Sequence, residues 1–234
     1  MLPWLDLDDD TTPFPELSTA LDNPNGLLAA GGSLKPARLL NAYRRGIFPW
    51  FEDGQPILWW SPDPRMVLSP AEFRVSRSLK KAISKNLFNC TFDTAFSEVI
   101  SACSEPREGQ DGTWITSSMI QAYEALFERG DAHSIEVWSG DTLAGGLYGV
   151  GVGQVFFGES MFSRESNASK IGFIFLCESL ANWGYQLIDC QVQSKHLAAL
   201  GAETISRDDF TSRLDVFCDQ KTLNNSWSSL SVEK

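Results

Sequence analysis

The sequence predicts two parts, a loop-rich N-terminal segment and a larger domain in which helices surround a mixed β-sheet. Most prolines lie within residues 1–65, where turn sequences such as Pro24-Asn25-Gly26 break the chain into short pieces. From residue 66 onward the apolar residues are regularly spaced, first with the period of helices and then with that of strands. This order of elements fits an α+β or an α/β domain, and we expect the division to fall between residues 1–65 and 66–234.

The N-terminal segment contains one clear helix. It begins at Pro36, a residue suited to the first helical position, and ends at Gly46. Leu39, Leu40 and Tyr43 lie on one face of this helix, so that face is expected to be buried.

Two amphipathic helices are predicted before the sheet. The first spans residues 92–103, where apolar residues recur at helical spacing. The second follows Ser118, whose spacing to Gln121 resembles a capping box, and ends at Gly130.

The sheet is predicted from three β-rich runs joined by turn sequences, which indicate an antiparallel meander. A helix from about Asn167 to Gly184 follows, and after it come a strand over residues 185–192 and a last helix around residues 196–200. The three runs of the meander are residues 135–138, 143–150 and 154–159.

Charge limits the possible partners. The 234 residues carry a formal net charge of −11, which argues against a surface that binds nucleic acid throughout. Contact with RNA must therefore be local, and one run of five cations without an intervening acid is a candidate, although on charge alone a solvated helix face is the simpler interpretation of such a run. The run consists of Arg74, Arg77, Lys80, Lys81 and Lys85.

Several classes of protein lack support in this sequence. The five cysteines are scattered and never spaced as CxxC, and there are only two histidines, so neither a disulfide framework nor a metal site is predicted. Phosphate-binding, dinucleotide-binding and serine-esterase motifs are absent, so we expect no cofactor. The longest apolar run, residues 171–177, is too short to span a membrane, and the start lacks the basic region of a signal peptide, so a cytoplasmic protein is expected.

Three polar residues stand out in apolar strands. Asp189 and Gln191 are two apart on the predicted strand over residues 185–192, so simple alternation places them on one face, about 6.5 Å apart. Glu159 lies among aromatic residues and methionines, where a carboxylate is costly unless it is paired. From the strands alone, a solvent-facing polar side and a substrate-binding side both remain open.

Aromatic residues are dense in loops. Trp50, Trp114 and the pair Trp59-Trp60 lie in segments flanked by glycine or proline rather than in amphipathic helices. Loop tryptophans can stack on bases or apolar ligands, although most of them pack between domains.

Seven sequence strings, in this order along the chain, resemble the bacterial leucyl/phenylalanyl-tRNA–protein transferase family. The similarity extends from about Phe14 to Phe210. The strings are Asn25-Gly26-Leu27-Leu28-Ala29, Gly46-Ile47-Phe48-Pro49-Trp50-Phe51, Leu58-Trp59-Trp60-Ser61-Pro62-Asp63-Pro64-Arg65, Gly112-Thr113-Trp114-Ile115, Gly158-Glu159-Ser160-Met161-Phe162-Ser163, Asn167-Ala168-Ser169-Lys170 and Ile188-Asp189-Cys190-Gln191-Val192.

The resemblance implies an α+β fold in which a small N-terminal domain packs on a GNAT-type acyltransferase domain. It implies that leucine or phenylalanine is transferred from Leu-tRNA or Phe-tRNA to proteins that begin with arginine or lysine, which marks them for degradation. We expect a monomer that acts without a cofactor, and the order among leucine, phenylalanine and methionine as donors stays open.

The resemblance also assigns residues by position. Asp189 and Gln191 match the catalytic pair, and Glu159 matches an active-site carboxylate. We expect Asp189 to accept hydrogen bonds from the attacking amine, and it either takes the proton or only orients the amine. Gln191 would orient the amine or the ester carbonyl, and Glu159 would help hold the aminoacyl end or the cationic acceptor. The aromatics at the aminoacyl-adenosine end would be Trp50, Trp114 and Phe156, and the side-chain pocket would be lined by Met161, Phe173, Leu176 and Ile188.

Two departures from the family pattern occur outside this pocket. The usual Gly-Gly-Asp-Leu-Ser-Pro is Gly31-Gly32-Ser33-Leu34-Lys35-Pro36 here, and a common histidine is replaced near Phe73-Arg74-Val75-Ser76. Both bear on local helix capping or tRNA contact rather than on the chemistry. With tRNA as donor, the basic run from Arg74 to Lys85 is expected to contact its backbone.

Two other functions remain open at this point. An acyl-CoA-dependent N-acyltransferase would have the same fold, although the usual RxxGxG/A pyrophosphate loop is absent. An adaptor that only binds cationic N-termini would suit the net charge of −11. Fold-level analogy does not decide among the three.

Overall fold

The computed structural model describes residues 2–106, 115–223 and 227. Four short strands of the N-terminal part form one sheet in the order β1-β2-β4-β3, and one helix, α1, covers Pro36–Arg44. The strands are β1 (Trp4–Leu5), β2 (Leu27–Gly31), β3 (Phe48–Pro49) and β4 (Leu58–Trp60).

The larger sheet has seven strands in the order β11-β5-β10-β9-β8-β7-β6. Its strands pair antiparallel, except that β9 and β10 are parallel. The strands are β5 (Arg65–Leu68), β6 (Asn89–Phe92), β7 (Ala132–Ser139), β8 (Thr142–Val152), β9 (Val155–Ser163), β10 (Leu187–Gln191) and β11 (Glu203–Ile205).

Helices cover both faces of this sheet. Helix α5 packs on β7, β8 and β9, while α3 and α4 pack on the opposite face together with α1. The helices of the larger part are α2 (Arg77–Ile83), α3 (Phe96–Ser104), α4 (Ser117–Glu128), α5 (Ala168–Asn182), α6 (Lys195–Ala199) and α7 (Arg207–Phe217), and 3-10 turns lie at Leu17–Thr19 and Pro70–Glu72.

The predicted α+β fold with a mixed sheet is confirmed. The meander β7-β8-β9, helix α5 and the parallel strand β10 follow one another as expected, and α1 begins at Pro36. The domain boundary after residue 65 stays a prediction. Of the described residues, no helix is long and apolar enough to cross a membrane.

Several predicted boundaries are wrong. Phe92 is the last residue of strand β6 instead of a helical residue, and α3 begins only at Phe96. The cap of α4 is Thr116, whose hydroxyl accepts the N–H of Met119, instead of Ser118. Helix α6 is followed by strand β11 and helix α7. These two elements were not predicted, because β11 is short and most residues of α7 are polar.

The first departure from the family pattern has a local structural role. Lys35 precedes α1 without capping it, and its ammonium lies 2.7 Å from the carboxylate of Asp10. The hydroxyl of Ser33 donates to the same carboxylate. This contact ties the start of α1 to the N-terminal segment.

The two parts share one hydrophobic core. Leu28 and Trp59 of the small sheet belong to the same buried cluster as Tyr123 of α4 and Tyr148 of β8. A second cluster, between the large sheet and α5, contains Leu147 on the other face of β8. The sheet therefore separates two cores, and α1 lies in the first.

Candidate active site

A cavity of about 930 Å³ lies between the two parts of the chain. Trp50, at its mouth, is 47% exposed, and its ring lies 5.4 Å from that of Trp60. One wall is apolar, and it is formed by Phe156, Met161, Phe173, Leu176 and Ile188.

The polar residues predicted from the strands line the same cavity. These residues lie where β9 and β10 separate: Asp189 pairs with Phe157 as the last residue of the ladder, and Glu159 and Gln191 come just beyond that pair. Nine of the ten residues predicted for catalysis and substrate binding are thus brought together. The tenth, Trp114, is outside the described residues.

A β-bulge in each strand places these side chains. In β9, Gly158 and Ser160 pair with neighbouring residues of β8, so Glu159 is the extra residue. In β10, Asp189 and Gln191 pair with neighbouring residues of β5, so Cys190 is the extra residue. Bulges redirect side chains and are common beside active sites.

The expectation of simple alternation along β10 is therefore corrected. The backbone of Gln191 contacts the side chain of Asp189 because the strand bulges between the two residues. Gln191 also adopts a φ of 61°, a value that is rare outside glycine. The backbone N–H of Gln191 donates to Oδ1 of Asp189 at 2.9 Å, which fixes this conformation.

Asp189 forms a fully buried ion pair with Arg65. The Nε of Arg65 lies 2.8 Å from Oδ1, and its Nη2 lies 2.6 Å from Oδ2, with side chains only 1% and 0% exposed. The guanidinium lies between the rings of Phe48 and Phe210 and donates to the carbonyl of Gly46. Both carboxylate oxygens of Asp189 are thus engaged by donors.

Glu159 has three donors of its own. Its Oε1 accepts the Tyr43 hydroxyl at 2.8 Å and the Gln191 side-chain amide at 3.1 Å, and its Oε2 accepts the Tyr123 hydroxyl at 2.8 Å. Burial raises the pKa of Glu159 to about 7, while the hydrogen bonds from Tyr123 and Tyr43 oppose that rise. A carboxyl group with this pKa can take up and release a proton near neutrality.

Gly149 of β8 makes room for the bulge at Glu159. A Cβ atom at this position would lie 2.2 Å from the carbonyl oxygen of Phe157 and 2.6 Å from the ring of Phe156. A larger residue at position 149 would therefore displace the cavity wall.

The basic run lies away from this cluster. Helix α2 is capped by Ser76, whose hydroxyl oxygen accepts the N–H of Leu79. All five cations of the run are exposed, and within the described ranges no acidic group pairs with them. They are Arg74, Arg77, Lys80, Lys81 and Lys85.

Sequence reasoning missed three residues of the site. Tyr43 and Tyr123 read as members of apolar helix faces, and nothing in their spacing indicates a hydroxyl partner. Arg65 carried a usable signal, because an arginine that opens an apolar strand needs a buried carboxylate partner.

The site contains groups suited to acyl transfer. It has an apolar wall for a side chain, a carboxylate that titrates near neutrality, and an oriented amide. Within the part of the chain that the structure describes, no cluster of histidine, cysteine and acidic residues could hold a metal ion. Fold and site together define an enzyme of the acyltransferase class.

Comparison with known proteins identifies the family. The model of the family "Leucyl/phenylalanyl-tRNA protein transferase" matches residues 67–215, and that of its N-terminal domain matches residues 32–63. The chain belongs to the leucyl/phenylalanyl-tRNA–protein transferase family and is an aminoacyltransferase, so the resemblance seen in the sequence is confirmed.

Curated relatives match over nearly the whole chain. A leucyl/phenylalanyl-tRNA–protein transferase of Nitrosospira multiformis is 55% identical over 97% of this chain and 97% of its own. One of Pseudomonas fluorescens is 58% identical over 92% of this chain and 94% of its own.

Among solved structures, a GCN5-related N-acetyltransferase from Kribbella flavida aligns with 9% identity and a TM-score of 0.38. The alignment covers 73% of this chain and 61% of that one.

Proposed function

We propose that this enzyme transfers leucine or phenylalanine from its tRNA ester to the N-terminal α-amine of proteins that begin with arginine or lysine. The observation that carries the proposal is the cavity, whose apolar wall and polar floor meet at Glu159. A leucine or phenylalanine side chain would bind against Phe173, Leu176 and Ile188, which would bring its ester carbonyl toward the floor.

The reaction needs no activation step, because the donor is already an ester. The acceptor nitrogen bonds to the carbonyl carbon, and the bond from that carbon to the ribose oxygen breaks. One proton leaves the amine, and one proton reaches the ribose oxygen. An α-amine has a reference pKa of about 7.7 to 8.0, so orientation supplies much of the catalysis.

Each polar residue of the floor has a proposed role. Glu159 takes the proton from the attacking amine and returns it to the leaving oxygen. Gln191, held by its amide contact with Glu159, orients the amine or the carbonyl. Asp189, because Arg65 engages both of its oxygens, orients Gln191 instead of acting as the base.

The donor end of tRNA would bind at the mouth of the cavity. Trp50 is the exposed aromatic proposed for the terminal adenosine, and Phe156, which is fully buried in the apolar wall, would support the aminoacyl end from deeper in the cavity, with Trp114 as a further prediction. The exposed run from Arg74 to Lys85 is proposed to contact the tRNA backbone, since phosphate binding requires unpaired cations.

A cationic acceptor agrees with the charge around the cavity. Glu52 and Asp53 line its mouth and are exposed, and the whole chain has a net charge of −11. We place the enzyme in the cytoplasm, where aminoacyl-tRNA is made, and its five unbridged cysteines suit a reducing compartment. We propose that it acts as a monomer.

A transfer assay tests the function. Radiolabelled Leu-tRNA is mixed with peptides that differ only in their first residue, arginine, lysine or alanine, and a parallel reaction supplies acetyl-CoA instead. We expect label in the arginine and lysine peptides only. Product from acetyl-CoA, or peptide binding without product, would instead support an acyl-CoA enzyme or an adaptor.

A pair of variants tests the site. Glu159→Gln keeps the shape of the side chain but removes the proton acceptor, so we expect kcat to fall by about 10²- to 10⁴-fold. Glu178→Gln, an exposed position on α5, is the matched control and should retain the wild-type rate. Full activity in Glu159→Gln would remove Glu159 from the mechanism.

A further inference from the structure

Two tyrosines from different parts of the chain meet on the carboxylate of Glu159. Tyr43 comes from α1 in the N-terminal part, and Tyr123 comes from α4 in the larger part. Both side chains are fully buried, and their hydroxyl oxygens lie 2.5 Å apart. Each hydroxyl lies 2.8 Å from a different oxygen of Glu159, and the two hydroxyl protons are shared among these two contacts and the contact between the hydroxyls.

We propose that Tyr43 and Tyr123 are positioning residues that hold the Glu159 carboxylate ionised and aimed at the acceptor amine. The inference rests on the proposed function, because it assigns Glu159 the proton of the attacking amine. Neither tyrosine needs to touch substrate, since both act through the carboxylate.

The physical reason is the difference between the two protonation states of Glu159. A buried carboxylate loses its hydration, and that loss favours the protonated form, which cannot accept a proton from the amine. Hydrogen bonds to a charged acceptor are about twice as strong as those to a neutral one, so two hydroxyl donors favour the ionised form. The effect of burial is larger than that of the hydrogen bonds, so the pKa of Glu159 is raised to about 7.

Other groups face Glu159 and must be kept constant in any test. Asp189 raises the pKa of Glu159 and Arg65 lowers it, and these two groups form an ion pair with one another. Gln191 donates an amide N–H but does not titrate. Tyr148 of β8 is also nearby, because Glu159 contributes to the rise in the pKa of its hydroxyl.

Tyr148 provides a matched control. It is fully buried, and its ring lies 5.4 Å from that of Tyr123. Its hydroxyl has no hydrogen-bond partner among the described residues, so it does not donate to Glu159. Tyr148→Phe therefore removes the same atom from the same surroundings without removing a donor to the carboxylate.

The proton that the amine loses ends on the ribose oxygen, so Glu159 gains and loses one proton in each reaction. The amine nitrogen forms its bond to the ester carbonyl carbon and gives one proton to ionised Glu159. The bond between that carbon and the ribose oxygen then breaks, and the proton passes from Glu159 to the ribose oxygen. Glu159 ends ionised, with both tyrosine donors in place as at the start.

The test compares transfer rates of Tyr43→Phe, Tyr123→Phe and Tyr148→Phe with the wild type, with saturating Leu-tRNA and an arginine-starting peptide. Dividing each variant rate by the wild-type rate at the same pH cancels the titration of the acceptor amine. Loss of one donor should raise the midpoint of the Glu159 titration by about one pH unit. The rate ratio should then be about 0.1 near pH 6 and approach 1 near pH 9 for the two donor variants.

Tyr148→Phe should instead give a ratio that does not change with pH. A pH-independent ratio for Tyr43→Phe and Tyr123→Phe would overturn the inference, because a purely structural role lowers the rate equally at every pH. If one of the two donor variants does not fold, the other decides, since each hydroxyl serves a different carboxylate oxygen. A wild-type enzyme that fails to transfer leucine would refute the proposed function itself, which separates the two failures.

A second measurement follows the carboxyl group directly. In protein labelled with ¹³C at glutamate side chains, the resonance that disappears in Glu159→Gln identifies Glu159. Its titration midpoint should move upward in Tyr43→Phe and Tyr123→Phe and stay in place in Tyr148→Phe. An unchanged midpoint in both donor variants would contradict the inference without reference to catalysis.

Discussion

At the scale of single residues, burial decides what each carboxylate of the site can do. Asp189 and Glu159 both lie at the cavity, yet only Asp189 has a cation within bonding distance. Arg65 neutralises it in a place where water cannot compete. Glu159 has only neutral donors, so its charge remains available for proton transfer.

The Arg65–Asp189 pair yields a prediction for stability. Removing one partner leaves the other charge buried and unpaired, so Asp189→Ala or Arg65→Met should lower the free energy of unfolding by about 3–5 kcal/mol. The double variant Arg65→Met with Asp189→Leu removes both charges and should recover most of that loss. Urea unfolding of the wild type, the two single variants and the double variant measures their free energies of unfolding and checks that the single variants are the least stable.

The double variant should recover stability without recovering transfer activity. The double variant still lacks the carboxylate that accepts the backbone N–H of Gln191, so the left-handed conformation of Gln191 loses its support. We expect its kcat to stay far below the wild-type value. A double variant that regains both stability and full activity would show that Asp189 does not orient Gln191.

The sequence led to Asp189, Gln191 and Glu159 through the family resemblance, but it did not reveal their partners. Arg65 and Asp189 are 124 positions apart, and Tyr43 and Glu159 are 116 apart. Local spacing contains no information about such distant pairs, so only the folded chain identifies them.

At the scale of elements, helix α3 depends on a residue outside it. The residue before the helix, Ala95, has no side chain that could cap it. Glu136 of β7 instead holds the segment that leads into the helix, because its fully buried carboxylate accepts the backbone N–H groups of Thr94 and Ala95 and the hydroxyls of Thr91, Thr94 and Ser134. The carboxylate also opposes the positive end of the helix dipole.

Glu136→Ala should therefore destabilise the protein. The buried hydroxyl of Ser134 would lose a charged acceptor, and such a loss costs about 1–3 kcal/mol before relaxation, while the part-buried donors of Thr91, Thr94 and Ala95 would add less. The change in urea midpoint measures the effect, and Glu98→Ala, an exposed position in the first turn of α3, is the control. Equal midpoints for the two variants would contradict a role for Glu136 in holding the segment before α3.

Helix α2 yields a prediction for tRNA binding. Reversing two exposed charges with Lys80→Glu and Lys81→Glu should weaken binding of Leu-tRNA and reduce the salt dependence of its affinity. The slope of log K against log salt should fall by roughly 0.7 to 0.9 for each phosphate that the protein no longer neutralises. Filter binding at several salt concentrations measures both quantities.

The control for this prediction reverses two charges elsewhere, Arg213→Glu in α7 and Lys221→Glu after it. That variant has the same net charge and should bind tRNA nearly as the wild type does. Equal behaviour of the two double variants would favour the simpler interpretation of the run as a solvated helix face.

The type of an element was predictable where apolar residues recur regularly over a long segment, as in the meander and α5. The failures have physical causes. The strand β6 covers only Asn89–Phe92, and its last residue is continuous with the apolar pattern of α3. Helix α7 has only two buried residues, Phe210 and Leu214, so its apolar face is too narrow to stand out in the sequence.

At the scale of the whole molecule, the N-terminal part is a component of the active site as well as of the core. Helix α1 supplies Tyr43 to Glu159, and Leu39 of the same helix is fully buried in the shared core. The cavity is also lined from this part, by Trp50 and Trp60. The two parts should therefore lose structure and activity together.

Leu39→Ala tests that coupling. Loss of a fully buried leucine should cost about 2–5 kcal/mol, and unfolding should remain a single transition in which fluorescence and transfer activity disappear at the same urea concentration. Leu7→Ala, at a position that is 63% exposed, is the control. Two separate transitions would show that the parts fold independently.

The two bulges at Glu159 and Cys190 have a consequence for how such a site can arise and be lost. Each depends on one residue more in its strand than in the neighbouring strand. Deleting either residue would leave a regular ladder with a nearly identical composition, yet the polar groups would no longer converge. The active site is thus encoded by strand length as much as by residue identity, and a one-codon deletion could erase it while the sheet survives.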